Sequence, residues 1–177
     1  MPNTSDSLTR LVKQATEAFQ SGSFNMAKKF ALEGLEIQKQ NVQLLNILAR
    51  IALVEEQPEV GIKLLKLVLK IDATNFDAFN NLSVALGRAR STKNQHILPL
   101  LLPILTIHYS SHSMQWDKVV SCFNNLSFHN DGKAEWLECV FEEIGLALVK
   151  HFCSLKLYDL ALALETELYN RFVKSKE

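Results

Sequence analysis

The chain repeats itself every 34 residues, and a period of that length admits few folds. Leu11, Leu45 and Phe79 fall in register as the first large side chain of an apolar helical stretch. One turn later come Gln14, Leu48 and Leu82, then the small residues Ala15, Ala49 and Ser83, then Ala18, Ala52 and Leu86. A second stretch follows in register, pairing Ala27 with Gly61, Ala31 with Leu65 and Gly34 with Val68. Small residues recur where two helices must approach closely. A unit of this size is one helical hairpin, which cannot bury its apolar side alone and has to stack on its neighbours. The expected architecture is therefore all-α. It is an α-solenoid of antiparallel helical hairpins, with about three repeats over 8–41, 42–75 and 76–109 and degenerate C-terminal helices after them.

These residues resemble the tetratricopeptide repeat (TPR) family, over 8 to about 90. Ser-Gly-Ser-Phe at 21–24 is similar to the family's turn inside a unit, with an aromatic residue opening the second helix. Asp72-Ala73-Thr74-Asn75 is similar to its turn between units, with Ala73 where proline is usual. Phe79-Asn80-Asn81-Leu82 also follows the pattern. Two departures stand in the second unit. Glu56-Gln57-Pro58 replaces the glycine-containing turn, and Gly61 replaces an alanine, at about 1 kcal/mol of helix propensity. Pro58 is tolerated, because the first turn of a helix has no internal partner for its amide.

Beyond Tyr109 the register is lost. Ser110 to Ser113 reads as a polar break, followed by a helix from about Met114 to Leu126 with Trp116, Val119, Val120, Phe123 and Leu126 on one side. His129-Asn130-Asp131-Gly132 is the strongest turn signal. The irregular stretch 110–131 then gives way to a C-terminal hairpin over 132–174. Its helices are expected at about Lys133 to Ser154 and Tyr158 to Val173, with Tyr158-Asp159-Leu160-Ala161 resembling the start of a repeat's second helix. Terminal units of a solenoid are atypical because they present a soluble outer face.

Nineteen basic and nineteen acidic residues cancel, so no global field favours nucleic acid or an anionic membrane. The three cysteines, Cys122, Cys139 and Cys153, are odd in number and widely spaced, which argues against a secreted disulfide framework. The N-terminus lacks a basic start and an apolar run. A cytoplasmic protein forming a single domain over 1–177 is expected. The apolar run Ile97 to Ile107 is too short for a bilayer, which needs about 20 residues. It reads as the buried second helix of the third hairpin, bent or delayed by Pro99 and Pro103.

No pattern of catalytic chemistry emerges. His108 and His112 share a helical spacing, but Ser110 and Ser111 interrupt it and no third ligand is near. His151 and Cys153, two residues apart, point to different sides of a helix. Glycine-rich phosphate loops and serine elbows are missing. The expectation is a non-enzyme without metal or cofactor. Lys63, Lys66 and Lys70 share one side of a helix and read as a solvated outer surface or, in the sharper reading, a dock for an acidic partner.

The family resemblance implies that the opening helices line a concave groove that reads a peptide or partner domain. Carried onto this chain, the groove residues are Val12, Thr16 and Phe19 from the first unit, Asn46, Arg50 and Leu53 from the second, and Asn80, Val84 and Arg88 from the third. Asparagine can donate to and accept from a peptide backbone, and arginine can hold a carboxylate through paired bonds. The family's chaperone carboxylate clamp is not reproduced. Its places hold Val12, Thr16, Ile47, Asp77 and Asn81, of which only Asn81 is the right kind of residue, and Asp77 would repel the ligand. Three readings follow. The first is an interaction module acting as an adaptor, scaffold or assembly factor for a protein or peptide partner, with no nucleic acid and no membrane insertion. The second is the accessory TPR region of a larger bacterial enzyme or regulator, such as a glycosyltransferase, sulfotransferase or response regulator, which the length of the native reading frame would test. The third is a homodimer in which Trp116, Phe123, Trp136 and Phe141 would be interface residues instead of the core residues they otherwise read as.

Overall fold

The computed structural model describes residues 4–89, 115, 116, 119, 121 and 135–170. All regular structure among them is helical, and the chain divides into two compact units, residues 1–92 and 93–177. Five helices form the first unit: α1 (Thr4–Gln20), α2 (Phe24–Ile37), α3 (Val42–Val54), α4 (Pro58–Ile71) and α5 (Phe76–Arg88). Each packs on the next in sequence, and α3 also touches both α1 and α5. The odd-numbered helices therefore form one layer, with α2 and α4 behind it: stacked helical hairpins, as the 34-residue period requires.

The turns repeat as closely as the helices. Gly22 has φ of 76°, and Glu56, 34 residues on, has φ of 57°. After the first, the Ser23 amide donates to the Ala18 carbonyl at 2.8 Å and the Gly22 amide to Phe19 at 3.1 Å. That is the Schellman arrangement, which satisfies the open carbonyls at a helix C-terminus. After the second, the Gln57 amide donates to Ala52 at 2.8 Å. The substituted turn of the second unit thus keeps the glycine conformation without the glycine. Between hairpins, Asn41 and Asn75 hold the same register and cap α3 and α5, their side chains accepting from the amides of Leu44 at 3.1 Å and Ala78 at 3.0 Å. Asparagine is among the best residues for that position.

The first core cluster comprises Ala15, Ala27, Ala31, Leu44, Ile47 and Ile51, with Leu8, Val12, Phe19, Phe24 and Phe30 packed around it. Its density depends on Gly34, where an added β-carbon would run into the Leu44 side chain and lie 3.7 Å from Leu11 Cβ. Gly61 plays a milder version of that part, with its added β-carbon 3.1 Å from Leu53 Cδ2.

In the second unit α6 (Glu135–Ser154) and α7 (Tyr158–Leu168) pack together. Lys156 takes φ of 61°, with the Leu157 amide donating to Phe152 at 2.9 Å and the Lys156 amide to Cys153 at 3.1 Å. This is the same hairpin turn again, in a part of the chain whose sequence register has gone. Val140, Phe141, Ile144, Phe152, Ala161, Leu164 and Leu168 are buried. Trp116 meets Phe152 edge to face at 5.3 Å, and His151 at 5.7 Å. Phe141 is therefore core, as its apolar position in the helix suggests, which removes it from the alternative in which it would face a second copy. Phe123 and the Trp136 side chain lie outside the described residues. So do Ile97 to Ile107, Ser110 to Ser113, His108 and His112, Cys122, most of the helix expected over 114–126, the turn at 129–132 and the chain beyond 170. Among the described residues no helix is long and apolar enough to cross a membrane.

Candidate functional site

Across the layer of opening helices, the projected surface residues part into three groups. Val12, Thr16 and Phe19 on α1 are half-buried. Val12 and Phe19 pack on the core cluster, and the Thr16 hydroxyl donates back to the Val12 carbonyl at 2.8 Å. Such a bond to the preceding turn is the usual fate of a mid-helix threonine. The Phe19 ring meets Phe24 edge to face at 5.5 Å.

Asn46 and Leu53 are turned inward. Asn46 Nδ2 donates to Asn75 Oδ1 at 3.4 Å, and Asn75 Nδ2 donates to Asp72 Oδ2 at 3.1 Å. Asp72 Oδ1 in turn accepts from the Thr74 amide at 3.1 Å and its hydroxyl at 2.9 Å. Asn46 thus ties α3 to the turn before α5, and its own Oδ1 is buried without a partner. Leu53 corrects the surface expectation. It is only 7% exposed, facing α4 beside Gly61. The reason is helical geometry: Leu53 sits one turn after the fully buried Ala49, on the α4 side.

The remaining residues form an exposed surface. Arg50 is exposed, its guanidinium carbon 4.2 Å from the centre of the Phe19 ring. Asn80, Val84 and Arg88 are exposed at successive turns of α5. Arg88 Nη1 donates to the Leu53 carbonyl at 3.2 Å, satisfying one of the open carbonyls at the end of α3. The two arginines therefore cross between helices, Arg50 from α3 to α1 and Arg88 from α5 to α3. Val54 was missed by sequence reasoning. It is 49% exposed on the same side of α3 as Arg50, four residues on. The signal was available, since Val54 is the 34-residue counterpart of Arg88.

Behind this layer, Lys63 and Lys70 on α4 are exposed and Lys66 is half-buried. Lys28 on α2 meets both Glu55 oxygens, at 2.9 and 3.2 Å. In the second unit Cys139 and Cys153 are free and exposed.

No protein-family model matches the chain, and no curated protein does. Among solved structures, the chain is similar to the crystal structure of MamA protein, at 17% identity over 94% of this chain and 92% of that one, with a TM-score of 0.44.

Proposed function

We propose that the chain is a non-catalytic TPR-like interaction module, an adaptor or assembly factor that binds a peptide or partner domain across α3 and α5. The observation that carries this reading is the exposed surface of Arg50, Val54, Asn80, Val84 and Arg88. Two large apolar side chains stand open there, at 49% and 41%, beside polar groups able to orient a ligand. Interfaces are built from that mixture, with apolar anchors supplying affinity and the polar rim fixing register. The exposed free thiols of Cys139 and Cys153 suit a reducing compartment such as the cytoplasm.

The test compares three baits in affinity capture read by mass spectrometry: the intact chain, a Val54→Ser, Asn80→Ala, Val84→Ser variant, and a Lys63→Ala, Lys70→Ala variant. Far-UV circular dichroism checks that all three are folded. A partner kept by the lysine variant and lost from the first variant is the expected result. A partner kept by both folded variants would move the interaction away from this surface.

A further inference from the structure

We propose that the α3–α5 surface takes an acidic peptide segment, its carboxylates pairing with Arg50 and Arg88 and its apolar side chains seated on Val54 and Val84. This rests on the interaction-module reading and specifies the partner's chemistry. The 34-residue register places Arg50 opposite Val84 and Val54 opposite Arg88 on two helices that touch. The surface therefore alternates cation and apolar group in both directions.

Both guanidinium groups are held in place before any ligand arrives. Arg50 lies on the Phe19 ring at 4.2 Å, and Arg88 spends one N–H on the Leu53 carbonyl at 3.2 Å. A guanidinium has five N–H donors, so most of each fork stays open. Neither arginine has a carboxylate partner among the described residues. Three of the acids that could have neutralised them are engaged or distant. Glu17 pairs with Lys13 at 3.8 Å and Glu55 with Lys28 at 2.9 Å, while Asp77 sits at the opposite end of α5 from Arg88, roughly 16 Å along the axis. Glu56, exposed in the turn after α3, is the nearest remaining acid by sequence.

Two fixed, exposed and uncompensated arginines select against a basic segment, which would be repelled, and against a purely apolar one, which would strip water from charges without replacing it. A carboxylate matches the fork in two places at once, and fixing the side chains in advance reduces the ordering cost of binding. A nucleic acid fits less well. Single strands are gripped by aromatic rings on which bases stack, and the nearby Phe19 ring is already covered by Arg50.

The experiment pans a random dodecapeptide phage library on the full chain and measures synthetic copies of the enriched peptides by fluorescence anisotropy. The expected peptides carry at least two acidic residues. Arg50→Gln with Arg88→Gln should weaken them at least tenfold, Arg50→Lys with Arg88→Lys should weaken them less, and Glu→Gln or Asp→Asn changes in the peptide should reproduce the first loss. The peptide-side changes keep the test valid if Arg88→Gln proves unstable. Peptides without acidic residues, lost on Val54→Ser with Val84→Ser, would overturn the acidic reading and leave the module reading standing. Peptides indifferent to all four substitutions would overturn both, and no enrichment at all would overturn the acidic-peptide proposal and leave a folded partner domain as the module's ligand. Displacement by oligouridylate at equal affinity, dependent on the arginines, would overturn the peptide in favour of nucleic acid.

Discussion

Glu56 and Lys156 hold the left-handed backbone conformation that Gly22 holds in the first hairpin, and a side chain there costs about 1–2 kcal/mol. Part of that cost is offset because glycine loses more chain entropy on folding. Glu56→Gly and Lys156→Gly should each therefore stabilise the chain by about 0.5–1 kcal/mol, read as a higher urea midpoint at unchanged slope. Other glycines are governed by space. Gly34→Ala would drive a methyl group into Leu44 and should destabilise by about 1–3 kcal/mol. Gly87→Ala meets nothing within 4 Å and should gain up to about 1 kcal/mol from helix propensity. Gly61, recognised in the sequence as a departure from alanine, lies between these limits because Leu53 Cδ2 is 3.1 Å from the added atom.

At the scale of elements, the hairpin turns after α1, α3 and α6 share one C-terminal motif, and α3 and α5 each open on an asparagine cap. The two caps differ in what else they hold. Asn41 bonds Gln38 Oε1 at 2.8 Å within its own turn, whereas Asn75 also anchors Asn46 of α3. Asn41→Ala should cost about 1 kcal/mol, the usual worth of a cap. Asn75→Ala should cost about 1 kcal/mol more, because it leaves the buried Asn46 amide with no partner at either end. A double-mutant cycle between positions 46 and 75, followed by thermal denaturation, should return a coupling near that difference. The Lys28–Glu55 pair, at 45% and 28% side-chain exposure, is a solvent-screened contact worth about 0–1 kcal/mol. Arg88 has two parts in this scheme, capping α3 and presenting charge, which is why its substitution needs a check on folding.

For the whole molecule, the first unit has its own stacked core, with Phe79, Leu44, Ile51, Ile62, Leu65, Leu69 and Leu82 fully buried. Residues 1–92 expressed alone should therefore give a helical circular dichroism spectrum and a single cooperative melt. A broad, non-cooperative transition would show that this unit depends on the rest of the chain. Repeat stacks gain stability from interfaces between neighbours, so a substitution such as Gly34→Ala, between α2 and α3, should lower the melt of the fragment as much as that of the full chain.

The period of 34, the small residues at helix contacts and the turn over Asp72 to Asn75 were legible in the sequence because they are local or periodic. They determined an all-helical chain of hairpins in its first half, and apolar spacing located α6 and α7 in the second. Tertiary structure alone decided the orientation of individual side chains around α3. Leu53 and Val54 are adjacent in sequence and similar in character, yet one faces α4 and the other solvent, since about 100° of helical rotation separates them. It likewise decided that Asn46 serves a neighbouring turn, that Glu56 and Lys156 adopt a glycine's conformation, and that Arg50 and Arg88 are held by Phe19 and the end of α3. Those outcomes depend on what lies across a helix interface, and a single chain's pattern does not encode the partner's position.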